Sequence, residues 1–482
     1  MTDPSPTERA HPGCATETKR LLLEAIAEHA EDEAQRARWV AFLRRIGRPL
    51  AIDFLSGTQP LDPELISRFQ DHWNWWKLSA STCLPWSTQL VARFEHQWKW
   101  ITLSANTSLP WSTELLECFE DSWHWDALSK NPDLPWSVEL ISRFEDRWHW
   151  PLLSGNQGVP WTADLVERYR DRWMWNSLST NPSLPWSVEL IERFESLWHW
   201  GFPDCPMSMF GGLSHNPSLP WSLGLLERYQ DRWNWTGLSA NEGLPWTPEL
   251  IQRFGGRWWW YSLSRNKMLP WSTHLIEQFK DHWDWKQLSE NTAVPWSVPL
   301  IEHFKESWNW GEYYDPDYPF NPGLSRNASL PWSAELIERF EDRWFWDSLS
   351  DVETIPWTID LIDRYEHRWE WAGRYSPWRG LWNNRGVPFS IEVLDRYRRH
   401  LSPRVFSDSE VFPWSIELIE HFDRFCEWRS HHGRGGLSSN PKLPWSLDLV
   451  ERFEGRWDMK KVVHHLARSS AVPRLSAVNI FE

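Results

Sequence analysis

Cysteine is scarce and scattered: Cys14, Cys83, Cys118, Cys205 and Cys426 are odd in number and nowhere closely spaced. That pattern speaks against a disulfide framework and against a thiolate zinc site, and a reducing cytoplasm suits it best. Long apolar runs are missing too. No stretch approaches the roughly 18 apolar residues of a membrane span, and the opening MTDPSPTERAHPGCATETKR lacks the apolar core of a signal segment. Basic charge is in deficit, with 50 Lys and Arg against 66 Asp and Glu and a net charge of -16. Phosphate backbones need a basic face, so general nucleic-acid binding is not expected. Motifs that carry chemistry are equally thin: there is no glycine-rich phosphate loop, nucleophile elbow or CxxC pair, and no histidine pair at metal-helix spacing with a carboxylate. The expectation is a soluble, cytoplasmic, non-enzymatic protein with no cofactor and no metal.

What the chain has is tryptophan, 44 residues beside nine tyrosines, and such usage reflects a repeated unit. The residue after a recurrent proline marks one register fifteen times, from Leu61 and Trp86 through Trp136 to Phe389, Trp414 and Trp445; ten of the fourteen steps are 25 residues. A fixed period of this size means units that cannot bury an apolar face alone and must stack on their neighbours. In LPWSVELISRFEDRWHW, residues 134–150, Ser137 reads as an N-cap before Val138-Glu139-Leu140-Ile141. Trp136 and Ile141 are spaced as a hydrophobic staple. Leu140, Ile141, Phe144 and Trp148 fall on one face, with Glu139 and Arg143 as an i,i+4 pair on another. This predicts an amphipathic helix of about three turns, then a short second turn or helix beginning at Trp150 and a polar corner at Ser154-Gly155-Asn156. The fold class is therefore all-α, an α-solenoid of about fifteen repeats.

A leucine-rich-repeat-like α/β solenoid competes, because Leu-Ser-x-Asn and a 25-residue period suit it. Its strand needs an apolar residue two before the leucine, where this chain has Asp126, Pro151, Asn176, Thr236 and Lys286. Along the chain, residues 1–17 read as disordered and 18–55 as a helical cap over the first repeat. Residues 56–458 form the array, and 459–482 close its other end. Four insertions, 201–212, 311–323, 372–380 and 429–436, all fall between Trp-x-Trp and the next leucine, which predicts an exposed turn on one edge.

WDALSKNP (125–132), WNSLSTNP (175–182) and LSHNP (213–217) resemble the short Trp/Leu-Ser-x-Asn-Pro repeats of uncharacterised giant-virus and microbial proteins, over roughly residues 61–459. This chain departs by writing x-Leu-Pro-Trp for Asn-Ala-Ile and by adding the second tryptophan of Trp-x-Trp. The resemblance implies a repeat fold and no reaction.

Function has to be sought on the surface. Stacking would align Trp86, Trp98, Trp100 and their equivalents as three ladders with each ring facing its own counterpart, and the third ladder lies nearest the insertion edge. Core filling explains the first two ladders, since burying a tryptophan contributes roughly 2 to 4 kcal/mol. A second row, Asn106, Asn131, Asn156 and onward, reads as turn-bonding asparagine, and His124, His149 and His199 as decoration of a solvated edge. The insertions point to a partner: Met207, Met209, Phe210, Tyr313, Tyr314, Tyr318 and Phe320 place adaptable apolar groups in loops. Residues 372–436 hold ten arginines against eight acidic residues, so Arg374, Tyr375, Trp378 and Arg434 join the candidate partner-binding residues. A scaffold engaging a protein or peptide through the loop edge and groove is the expected function. The alternative is a binder of glycans or nucleobases that stack on exposed tryptophan rows.

Overall fold

The computed structural model describes residues 31–58, 61–201, 211–311, 323–372, 379–429, 435–468 and 473. Among them the secondary structure is helical throughout and no strand occurs, so the α-solenoid stands and the leucine-rich-repeat alternative falls. The chain divides into two compact units, Trp111–Glu427 and Met1–Pro110 with Trp428–Glu482.

Trp111–Glu427 is built from pairs of short helices such as Val138–Arg143 and Trp150–Leu153, and the second helices of successive repeats pack side by side. Ser137 is the N-cap, its hydroxyl accepting from Leu140 N at 3.1 Å. The first helix ends at Phe144 (φ -114°, ψ 31°), well short of the three turns expected. The tryptophans supply the reason. A helix end leaves carbonyls without partners. Here Trp148 Nε1 donates to Ile141 O at 3.2 Å, Trp150 Nε1 to Glu145 O at 3.0 Å and Trp136 Nε1 to Asn131 O at 2.9 Å. Each indole thus fills space and donates to a carbonyl at a helix end, where Asn131 O also receives Asn156 Nδ2 and Glu145 O also receives Arg172 Nη1.

The rings do not face their own counterparts as expected. Trp148 meets Trp125 of the preceding repeat edge-on (4.9 Å, 78°) and the tilted Trp136 of its own repeat (4.9 Å, 49°), so contacts join non-equivalent positions. Two edge-to-face or tilted contacts are more favourable than face-to-face sandwiches of equivalent rings. Arginines pair across repeats in the same way. Arg143 reaches Glu117 of the preceding repeat and not Glu139, and Arg147 bonds Glu120 at 2.9 Å and Asp121 at 2.6 Å.

In the other unit the first repeat has helices Pro63–Arg68 and Trp75–Ser79, and the last has Leu447–Arg452 and Met459–Leu466. Residues 31–46 and Arg48–Thr58 are helical, and Arg48–Thr58 packs on both Trp75–Ser79 and Met459–Leu466. The two end segments, read from sequence as caps on separate ends, therefore meet each other. Residues 1–17 lie outside the described residues.

Candidate partner-binding edge

The repeat boundary is wired by two buried polar side chains. Ser129 is fully buried; its hydroxyl donates to Trp125 O at 2.7 Å and receives His149 N of the next repeat at 2.9 Å. Asn156 Nδ2 donates to two carbonyls of the preceding repeat, Ser129 O at 2.9 Å and Asn131 O at 3.2 Å, while its Oδ1 accepts from Gly158 N at 2.8 Å. The same pattern recurs at Asn181, Asn241, Asn266 and Asn291. The asparagine row is thus consumed inside the array and offers no amides to a ligand.

The third tryptophan row is likewise closed over. Trp150, Trp200 and Trp346 are buried, and others such as Trp125 and Trp175 are half-buried. Trp150 packs on Tyr169 and Trp173 of the next repeat, while Arg172, Arg232 and Arg368 lie over Trp150, Trp200 and Trp346 at 5.6, 4.5 and 4.8 Å. Aromatic groups that do face water sit elsewhere: Trp76 is 58% exposed beside the buried Trp75, and Trp259 and Tyr261 are 46% and 43% exposed and flank the half-buried Trp260. Sequence reasoning missed them; the runs Trp75-Trp76 and Trp258-Trp259-Trp260-Tyr261, which put aromatics where most other repeats carry a polar residue, are the signal for them.

The insertions do not leave from a turn between elements. In regular repeats the same point lies inside the first turn of the second helix, whose hydrogen bond is Leu238 N to Asn234 O at 2.9 Å. Where a stretch is inserted, that bond is rebuilt across the gap: Leu213 N reaches His199 O at 2.8 Å, Leu324 N reaches Asn309 O at 2.7 Å and Leu381 N reaches Glu370 O at 2.9 Å. Ser214 Oγ still donates to Trp200 O, fourteen residues back, at 2.5 Å. The helix is cut and closed again, which is why an insertion here does not break the unit.

Glycines make this closure possible. Gly201 and Gly212 (φ 122° and 52°), Gly311 and Gly323 (φ 111° and 54°) and Gly380 (φ 87°) stand at the ends of the inserted stretches in left-handed conformations. A Cβ on Gly212 would collide with the His199 carbonyl oxygen. Carboxylates of the preceding repeat hold two of these ends. Asp351 Oδ1 accepts from Gly380 N at 2.7 Å and its Oδ2 from Arg379 Nε at 2.8 Å. Glu290 accepts from the backbone of Gly323; burial pushes its carboxyl above the usual range against the pull of Arg265, Lys286 and Arg326. In the other unit Gly435 and Gly436 (φ 97° and 77°) stand at the same place, and Ser438 Oγ donates to Trp428 O at 2.6 Å.

Met207, Met209, Phe210, Tyr313, Tyr314, Tyr318, Phe320, Arg374, Tyr375, Trp378 and Arg434 all lie outside the described residues. What the structure places is their anchorage. Of the arginines in the basic stretch, Arg396 and Arg399 are engaged with Asp363 and Glu366 of the preceding repeat. Among the described residues no cluster of His, Cys, Asp and Glu could hold a metal ion, and no helix is long and apolar enough to cross a membrane. Comparison with protein-family models, with curated proteins and with solved structures gives no match.

Proposed function

We propose that this chain is a non-enzymatic repeat scaffold that binds a protein or peptide partner through the stretches inserted at the start of its second helices. One observation carries the reading: within Trp111–Glu427 three insertions leave from the same turn of the repeat, and the repeat's hydrogen bonds close behind them. The inserted sequences at 201–212 and 311–323 are rich in the Met, Tyr and Phe that suit adaptable contacts. The stacked-ligand alternative has less support, because the tryptophan rows it needs spend their faces on neighbouring rings and arginines.

The experiment is a set of excisions. Residues 201–210, 311–321 and 372–378 are removed so that the second helices regain the 25-residue register, and binding partners are compared between parent and folded excised chain. Loss of a specific partner with unchanged helicity supports the proposal. Retention of the same partner assigns binding to the repeat surface and overturns it.

A further inference from the structure

Residues 31–58 contain no Pro-Trp-Ser and no Trp-x-Trp, yet they occupy a repeat's place between the last repeat and the first. Arg38 Nη2 donates to Asp448 Oδ1 and Glu451 Oε2, both at 2.6 Å, and Arg45 Nη1 lies 2.8 Å from Glu454 Oε1. Regular junctions use the same acidic positions: Glu117, which corresponds to Glu451, takes Arg143, and Glu120, which corresponds to Glu454, takes Arg147. On the opposite flank Ser56 Oγ receives Asn74 N at 3.3 Å, as Ser129 receives His149 N. Asp53 adds bonds to Asn74 Nδ2 at 3.0 Å and Lys77 Nζ at 2.6 Å.

The two flanks differ in what they keep. Toward the first repeat, the serine bond of a regular junction is present. Toward the last repeat, Val463 stands where a repeat has its serine, and 31–58 contains no asparagine, so neither buried polar link can form. On that flank Arg48–Thr58 packs on Met459–Leu466, whose buried Val462, Val463 and Leu466 are apolar and whose His464 feels the charge of Asp53, and the ion pairs to 31–46 have side chains 37% to 69% exposed. A cavity of about 220 Å³ lies behind the Arg45–Glu454 pair, lined by Ile46, Val450 and Trp457 among others. Exposed pairs are weak singly and screened by salt, whereas buried hydrogen bonds are not.

We propose that 31–58 is an electrostatic latch: a surrogate repeat that joins the last repeat to the first and lets go on its last-repeat flank when its charges are screened or reversed. The proposal is independent of the partner-binding reading, because it involves none of the inserted stretches.

Hydrogen exchange on the full chain tests it, comparing the parent with an Arg38→Glu, Arg45→Glu variant at low salt. Amides of 31–46 and Met459–Leu466 are expected to exchange about ten-fold faster in the variant, while those of Trp75–Ser79 and of Leu140 and Ile141 stay unchanged. Adding Asp448→Arg, Glu451→Arg and Glu454→Arg restores protection, and about 1 M NaCl on the parent reproduces the acceleration. The latch is overturned if the double variant exchanges as the parent does. It is equally overturned if the compensating set restores nothing, or if both flanks loosen together.

Discussion

The Ser129 hydroxyl receives the backbone N–H of His149 at 2.9 Å, across the boundary between one repeat and the next. It is fully buried, and its own proton goes to Trp125 O, so one atom ends a turn of its own repeat and seats the next repeat's second helix. Ser129→Ala leaves the N–H of His149 without a partner in a dry boundary. The expected loss is about 1 to 3 kcal/mol, read from denaturant unfolding. An unchanged midpoint would mean that water reaches this boundary.

Asn156 makes a sharper test, because its amide nitrogen faces two carbonyls. Asn156→Ala removes two donated bonds and one accepted bond, and a cost of about 2 to 4 kcal/mol is expected. Asn156→Asp turns a donor into a carboxylate oxygen pointed at two other oxygens and is expected to cost more than alanine at pH 7. Protonation gives that carboxyl back a donor, so the gap between the Asp and Ala variants narrows on acidification. Thermal unfolding at pH 7 and near pH 5 reads the order; an Asp variant as stable as the parent at pH 7 would remove the asparagine row from the account of stability.

The period, the N-cap serine and the place of the insertions are plain in the sequence because each is local. The length of the first helix is not. Leu140, Ile141, Phe144 and Trp148 keep helical spacing whether or not the chain is helical at Phe144, and only the indole bonds to Ile141 O and Glu145 O show why the helix stops. Arg143 could serve Glu139 or Glu117 equally well on spacing, and tertiary geometry chose Glu117. The meeting of the two ends was hidden because 31–58 shares with the repeats little more than Leu55-Ser56. At the candidate edge the insertions themselves were legible, and so were the glycines beside them; the rebuilt helix bond from Leu213 to His199 was not, since it joins residues fourteen apart.

The degenerate repeat after Phe389 shows how the array tolerates losing its central tryptophan. Leu401 stands at that position, while Trp382 replaces the conserved-register serine and is fully buried. Its ring takes over the lost contacts, 5.1 Å from Trp371 of its own repeat and 5.8 Å from Phe389 of the next, and its Nε1 donates to His400 O at 2.9 Å. Trp382→Ser brings the sequence closer to its sister repeats and is nonetheless expected to destabilise by about 3 to 5 kcal/mol. Adding Leu401→Trp is expected to recover part of that loss, a non-additivity that a double-mutant cycle measures. Additive effects would mean the two side chains do not share one site.

Acid should act on the whole array through the ladder of cross-repeat ion pairs. Bonds from Arg93 hold the Glu64 carboxyl below its usual range, the bond from Arg343 does the same for Glu306, and bonds from Arg396 and Tyr397 for Asp363. A carboxylate whose folded pKa is depressed contributes stability above its unfolded pKa, near 4.5 for these glutamates and 3.8 for Asp363, and loses it as pH falls through the lower folded value. The ladder's contribution should therefore be level from neutrality to about pH 5 and fall progressively below the ordinary carboxylate range. Because these pairs are solvent-exposed, each contributes little and salt weakens all of them. Unfolding midpoints measured from pH 7 to pH 3 at low and high salt decide the matter: the acid-induced loss should shrink in high salt, and a loss of equal size at both salt concentrations would place the acid-sensitive groups somewhere other than this ladder.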